Sequence, residues 1–320
     1  MKILITGATG FIGSKLLQIL EARAEKLCAL VRRKPCRQKG LEGVNWIEYD
    51  ITGSMKELPE KIADIDIVVH LAARAHVMDD KLLDPLTKYR KVNVQGSLNL
   101  AQQAAAAGIK RFVFISSIGV NGNQSIGPFT VNDPPNPIEP YAISKFEAEQ
   151  SLRKFANETR MELVVIRPPL VYGPMASGNF RRLVRLVHKG LPLPLGLVHN
   201  KRSLVALDNL VDLILTCIDH PDAAGQTFMV SDGKDLSTPE LIRKLAYAMG
   251  RPTRLLPVPQ GLLRLGGFMM GKEKEVERLI GSLQVDISHT CDTLGWRPPV
   301  TADEALYKTG RDFVSRLKED

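Results

Sequence analysis

The beginning of this chain constrains its fold more than any other stretch. "KILIT" (2–6) is a short apolar run that stops at "GATGFIG" (7–13), a helical pattern follows from about Ile12 to Ala24, and "KLCALV" (26–31) is a second apolar run. A connection of that length, with a helix in it, joins parallel strands by a right-handed crossover. The pattern repeats with "DIVVHLAA" (66–73), a helix over "SLNLAQQAAAAG" (97–108), "KRFVFISS" (110–117), a helix from about Ala142 to Glu158 and "ELVVIRPP" (162–169). The predicted class is α/β, a doubly wound parallel sheet of Rossmann type.

Between 117 and Tyr141 lies "DPPNPIEP" (133–140), whose four prolines force an extended path that delivers Tyr141 to a helix start. Beyond Gly173 the alternation fades into "GLPLPLG" (190–196) and "LLPVPQG" (255–261), although "SLVALDNLVDLI" and "GQTFMVSD" still read as sheet-associated. The expected division is a dinucleotide-binding domain over 1–171 with returns near 203–231. A smaller C-terminal substrate-binding lobe would then take 172–202 and 232–320.

Formal charge is +8, from 43 Lys and Arg against 35 Asp and Glu. The cations are dispersed among acids with no run of five, which points to an anionic small molecule rather than a nucleic-acid polymer. Cys28, Cys36, Cys217 and Cys291 make no CxxC, and the six histidines make no HExxH, so no metal site is expected. With no apolar stretch approaching about 18 residues and no signal-peptide core, the expectation is a cytoplasmic protein without membrane insertion.

Gly7, Gly10 and Gly13 follow a strand and open a helix. Glycines there let the backbone approach a pyrophosphate, and the helix N-terminus offers free N–H groups. The spacing is GxxGxxG, so its position in a strand–helix–strand unit carries the reading. The second strand ends where a dinucleotide site reads the adenosine ribose. A carboxylate there would accept bonds from the ribose hydroxyls and repel a 2′-phosphate. This chain places Arg32 and Arg33 there, which fits NADP(H) in preference to NAD(H).

In "YAISK", Tyr141 and Lys145 are four apart and share a helix face. A nearby ammonium is expected to lower the tyrosine pKa from about 10. "FISS" puts Ser116 and Ser117 at a strand's carboxyl end, where ligands of such sheets bind.

Glycine loop, strand-end serine and YxxxK in this order resemble the extended short-chain dehydrogenase/reductases of the NAD-dependent epimerase/dehydratase family. The likeness runs through "HLAA" (70–73), "VNVQGSLNL" (92–100), "SSIGVNG" (116–122), "RPPLVYGP" (167–174) and "RSLVALDNLVDLI" (202–214). The resemblance implies a catalytic set of Ser117, Tyr141 and Lys145. It implies a cofactor site of Gly7, Gly10, Phe11, Ile12, Gly13, Arg32, Arg33, Asp50, Ile51, Leu71, Ala72, Ala73, Asn93, Tyr141, Lys145 and Pro168. It further implies a UDP-sugar held by Ser117, Asn179, Arg202 and Arg278, and a homodimer through the helices near 97–107 and 145–158; His76, in the loop after the fourth strand, is a further candidate to reach the sugar, with a solvated loop histidine as the expectation.

Asn121 stands where the family has the tyrosine of a "VYG" element, and the Thr-Asp-Glu of the 4,6-dehydratases is absent, which removes the acid and base that elimination of water needs. Two activities remain. The resemblance, together with Arg32 and Arg33, implies a 4-reductase that forms UDP-N-acetylquinovosamine from UDP-4-keto-6-deoxy-N-acetylglucosamine for surface polysaccharide. The alternative is an NAD-dependent UDP-hexose 4-epimerase. A non-catalytic NADP sensor of the same fold is a third reading. Met269 and Met270 suit an apolar wall or a partner interface, with core filling as the expectation, and Trp46 and Trp296 are assigned to packing.

Overall fold

Apolar runs that alternate with helices become a seven-stranded sheet whose strands all pair in parallel. The computed structural model describes residues 1–23, 26–34, 41–53, 58–75 and 84–317. In chain order the first elements are β1 (Lys2–Thr6), α1 (Phe11–Ala22), β2 (Lys26–Val31), β3 (Val44–Glu48), a short α2 (Leu58–Lys61) and β4 (Ile67–His70). There follow α3 (Pro85–Tyr89), a π-helical turn (Arg90–Gln95), α4 (Gly96–Ala106), β5 (Arg111–Ile115), β6 (Pro128–Phe129), α5 (Pro140–Thr159) and β7 (Glu162–Arg167). The rest comprises β8 (Leu170–Tyr172), α6 (Gly178–His188), β9 (Leu204–Ala206), α7 (Leu207–Asp219), β10 (Thr227–Met229), α8 (Thr238–Ala248), α9 (Gln260–Met269), α10 (Glu273–Ile280), β11 (Gln284–Val285), α11 (Ser288–Leu294) and α12 (Ala302–Arg316).

The sheet order is β10-β7-β5-β4-β1-β2-β3. Because side chains alternate across a strand, Ile3 and Ile5 enter the core beneath α1 and α7, while Leu4 enters the core beneath α4 and α5. Both faces are buried, which is why the strands read as continuous apolar runs. A third core joins α6, α8 and α12 around Tyr172, Phe180 and Leu245. Trp46 and Trp296 are both buried in the first core.

Strand order reverses at β1, which has β2 on one side and β4 on the other, with Leu4 opposite Cys28 and Val68. Crossovers leave in opposite directions there and open a cleft at the carboxyl ends of the strands. Two details go beyond the sequence reading and one expectation needs correction. "VNWIE" forms β3, which sequence periodicity did not single out. "SLVALDNLVDLI" contributes three strand residues and then α7. Met269 and Met270 are exposed rather than core residues, because α9 turns them outward from its packing against α10.

Candidate active site

The glycine loop fits its surroundings by close approach. Gly7 has φ of +67°, and a Cβ on it would come 2.7 Å from the Ala72 amide nitrogen. A Cβ on Gly13 would lie 2.2 Å from the Gly7 carbonyl oxygen. Only glycines let the turn after β1 touch both the segment after β4 and the start of α1. The Gly10 N–H donates to Gly7 O at 2.9 Å. No side chain caps α1 and no acid lies in its first turn, so its N-terminus faces the cleft with unmet N–H groups and partial positive charge. This cradle suits a pyrophosphate. Phe11 packs against both the first and third cores, and Ile12 and Leu71 border the first.

Thr6 holds the turn from below. The Ala72 N–H donates to Thr6 Oγ1 at 3.1 Å, and Thr6 Oγ1 lies 2.6 Å from His70 Nδ1. His70 Nε2 lies 2.8 Å from Ser97 Oγ, which donates to Asn93 O at 2.7 Å. This direction assigns a neutral imidazole with its proton on Nε2. Burial, with the Lys145 charge second, lowers the His70 pKa to about 3. Asn93, in the π-helical turn, accepts from the Arg74 N–H at 2.8 Å and donates to Ser144 Oγ at 2.9 Å, so it ties the loop after β4 to α5.

Arg32 and Arg33 lie exposed just beyond β2. Asp50, at the end of the neighbouring β3, accepts from the Thr52 N–H and hydroxyl at 2.9 and 2.8 Å. Those bonds hold its carboxyl below the usual range, with the Arg32 charge a lesser cause. Ile51 is buried, with its side chain against Gly96. Ala73 is half-buried in the segment after β4.

At the end of β5 the two serines part. Ser116 is buried and donates to Glu149 Oε1 at 2.5 Å, whereas Ser117 is half-exposed and its Oγ accepts from the Gly119 N–H at 3.1 Å. The turn after Ser117 is fixed by the Ile118 N–H on Pro168 O at 2.9 Å. Pro140 occupies the first turn of α5, so Tyr141 and Lys145 share that helix as the spacing requires. Tyr141 meets Tyr89 edge to face at 6.1 Å. Lys145 is buried, donates from Nζ to Ile115 O at 2.7 Å and sits 4.4 Å over the Phe114 ring.

The expected lowering of the tyrosine pKa does not occur here. Burial pushes Tyr141 up to about 12, with Tyr89 adding to the rise, while burial lowers Lys145 to about 7 against the pull of Glu149. The physical reason is that desolvation exceeds the ammonium's effect while Lys145 is turned to a carbonyl.

Sequence reasoning missed the support beneath Lys145. Arg167 donates to Glu149 through Nε at 3.0 Å and Nη2 at 2.6 Å, and its Nη1 reaches Asn121 Oδ1 at 3.0 Å. Asn121 therefore serves this buried pair. Each member carried a partial signal, though not the pairing: Glu149 lies one turn past Lys145, and "ELVVIR" ends a buried strand with an arginine that needs a carboxylate.

On the other side of the cleft, Arg202 Nη1 donates to Arg278 O at 2.8 Å and Gly281 O at 3.1 Å. Arg278 pairs with Glu139, which immediately precedes α5. The two arginines thus meet beside the start of the Tyr141 helix. Asn179 is exposed on the first turn of α6. His76 lies outside the described residues.

The family model described as "NAD dependent epimerase/dehydratase family" matches residues 3–231. The UDP-glucose 4-epimerase of Vibrio cholerae is 50% identical over 316 residues, 98% of this chain and 95% of that protein. The GDP-6-deoxy-D-mannose reductase of Pseudomonas aeruginosa is 27% identical over 331 residues, 100% of this chain and 99% of that protein. Among solved structures, the Thermotoga maritima UDP-glucose 4-epimerase with UDP-glucose superposes with a TM-score of 0.80 at 24% identity, covering 99% of this chain and 100% of that one. That likeness carries the fold, while the family match and the Vibrio relative carry the kinship. A switch-point cleft, a glycine cradle and a helix that carries a half-buried Tyr141 above a buried Lys145 are thus the site of an enzyme that works with a pyridine nucleotide, and the chain belongs to the NAD-dependent epimerase/dehydratase family.

Proposed function

We propose that the protein is an NADP(H)-dependent reductase acting at carbon 4 of a UDP-4-keto-6-deoxy-N-acetylhexosamine, with UDP-N-acetylquinovosamine as product. One observation carries the reading: the end of β2 offers two exposed arginines where a carboxylate would repel a 2′-phosphate. When bound, the nicotinamide exchanges a hydride with carbon 4 of the sugar. The cradle of Gly7, Gly10 and Gly13 fits its pyrophosphate, because the close-packed glycine turn leads into an N-terminus of α1 that carries no side-chain cap and no acid in its first turn.

The residues of the chain do the rest. Tyr141, whose phenol is protonated at neutral pH, gives its proton to the alkoxide formed at carbon 4. Ser117 Oγ holds the carbonyl oxygen, and the Lys145 ammonium stabilises the phenolate left on Tyr141. Arg202 and Arg278 hold the diphosphate, with Asn179 beside them.

A second reading, an NAD-dependent UDP-hexose 4-epimerase, is favoured by the 50% identity to the Vibrio cholerae enzyme of that name. The test releases any nucleotide from purified protein and then titrates NADPH and NADH against wild type, Arg32→Ala and Arg33→Ala. At least a tenfold preference for NADPH that an alanine variant loses, with NADPH consumed on the 4-keto sugar, is expected. Tightly held NAD⁺, indifference to both substitutions and interconversion of UDP-glucose with UDP-galactose would replace the first reading by the second.

A further inference from the structure

Cations that are dispersed over the whole chain are segregated in two of its stretches. Residues 173–200 and 249–272 hold eight Lys and Arg and no Asp or Glu. The fold lays these stretches side by side. The Leu193 N–H donates to Arg254 O at 2.8 Å, the Leu256 N–H returns to Leu193 O at 2.8 Å, and Arg251 Nη2 lies 3.4 Å from His188 Nε2. α10 adds three glutamates against two cations, one of them Glu277 paired with Arg264, which leaves the cluster strongly positive.

The same surface is apolar where a soluble helix should be polar. α9 turns Leu263 and Gly267 inward, and a Cβ on Gly267 would come 2.8 Å from Val276 Cγ2 of α10. Its outer side carries Leu262 and Leu265, and its end presents Phe268, Met269 and Met270 at 69%, 78% and 66% exposure before Gly271 reverses the chain at φ +62°. A helix that is apolar on its solvent side as well as its core side marks a docking surface.

Charge selects the occupant. A second copy across a two-fold axis would bring cationic stretches face to face, which opposes self-association. A bilayer rich in anionic phospholipid matches both features, with phosphates for the cations and an acyl boundary for the apolar tip. α9 has ten residues, about 15 Å of helix, and is too short to span the hydrocarbon.

We propose that the α9–α10 hairpin and the adjoining 190–197 and 251–257 segments form a peripheral docking surface for anionic phospholipid bilayers. Phe268, Met269 and Met270 enter the acyl boundary while Arg251, Arg254 and Lys272 meet the headgroup phosphates. Because Arg278 of α10 pairs with Glu139 at the start of α5, docking sets the active-site cleft close to the bilayer surface. The proposal stands on this surface alone and is independent of which sugar the site takes.

The test is flotation of the full chain with vesicles of phosphatidylethanolamine and phosphatidylglycerol, against vesicles of phosphatidylcholine, at about 0.1 M salt. Binding at least about tenfold stronger to the anionic vesicles is expected, falling by about tenfold or more in Phe268→Ser/Met269→Ser and, separately, in Arg251→Glu/Arg254→Glu. Both variants should keep the wild-type circular dichroism and turnover. Equal affinity for the two vesicle types, or binding indifferent to both variants, overturns the proposal. So does concentration-dependent dimerisation that Phe268→Ser/Met269→Ser abolishes, which would make a second copy the occupant. Equal binding to soluble polyglutamate would overturn it too, since charge alone would then suffice.

Discussion

Glu149 grips Arg167 through two hydrogen bonds, at 3.0 and 2.6 Å, with both side chains buried. The carboxylate also takes the Ser116 hydroxyl, and the guanidinium takes Asn121. One pair thereby joins the ends of β5 and β7 to α5 one turn below Lys145. Its charges balance only together, because either alone would sit unsolvated in the interior.

Glu149→Gln is therefore expected to destabilise the fold by about 3–5 kcal/mol, since it strands the Arg167 charge. In a chain of this size the melting temperature should fall by roughly 5–10 °C. Thermal denaturation followed by circular dichroism measures it, and an unchanged melting temperature would mean that the pair is solvated.

Gly13→Ala puts a methyl group 2.2 Å from the Gly7 carbonyl oxygen, a backbone atom that cannot swing aside. Either α1 moves off the turn or the turn opens. We expect a loss of about 1–3 kcal/mol in stability and at least a tenfold loss of nucleotide affinity. Gly266→Ala is the control: it lies inside α9 with nothing within 4 Å of its added Cβ, and should gain about 0.5–1 kcal/mol. Denaturant melts and nucleotide fluorescence titrations separate the two, and equal behaviour would refute the close-approach reading.

His70 supplies a pH dependence of known sign. Its folded pKa, about 3, lies below the unfolded value near 6.5, so the unfolded chain binds the extra proton. The stability it contributes is complete above pH 6.5 and is lost progressively as pH falls toward 3. Between pH 7 and 5 the loss is about 2 kcal/mol. Denaturant melts at the two pH values, compared with His70→Gln, isolate it. If the variant keeps the full wild-type difference, the dependence comes from elsewhere.

The sheet was legible because burial on both faces writes strands as apolar runs, and the site order was legible because Gly7 follows such a run, Ser117 ends one and Tyr141 opens a helix after the proline-rich segment. β3 was not, since "VNWIE" mixes polar residues into five positions. The His70 chain and the Glu149–Arg167 pair were harder still. Each depends on partners 18 to 64 residues apart, and no local pattern says that Thr6 will meet His70 or that Glu149 will meet Arg167. The cationic surface escaped for the same reason: two stretches more than forty residues apart become one face only through the hydrogen bonds between Leu193 and the 254–256 segment.

Tyr141 and Lys145 make the last prediction. Tyr141→Phe removes the proposed proton donor and should lower kcat by about 10²–10⁴ while nucleotide affinity holds within about twofold. Lys145 sharpens the test. Its pKa, about 7, lies far below that of a free lysine, so its ammonium is lost as pH rises through neutrality, and with it the charge proposed to stabilise the phenolate left on Tyr141. For the reductive direction, kcat/KM should therefore fall as pH rises above about 7, by at most about tenfold per unit, with no separate limb from the Tyr141 phenol below about pH 10. Lys145→Met should lower the plateau and flatten that limb. A wild-type profile that instead rises through pH 7 would mean that the reaction needs a base at this position, as an oxidative first step does, and would move the assignment toward the epimerase.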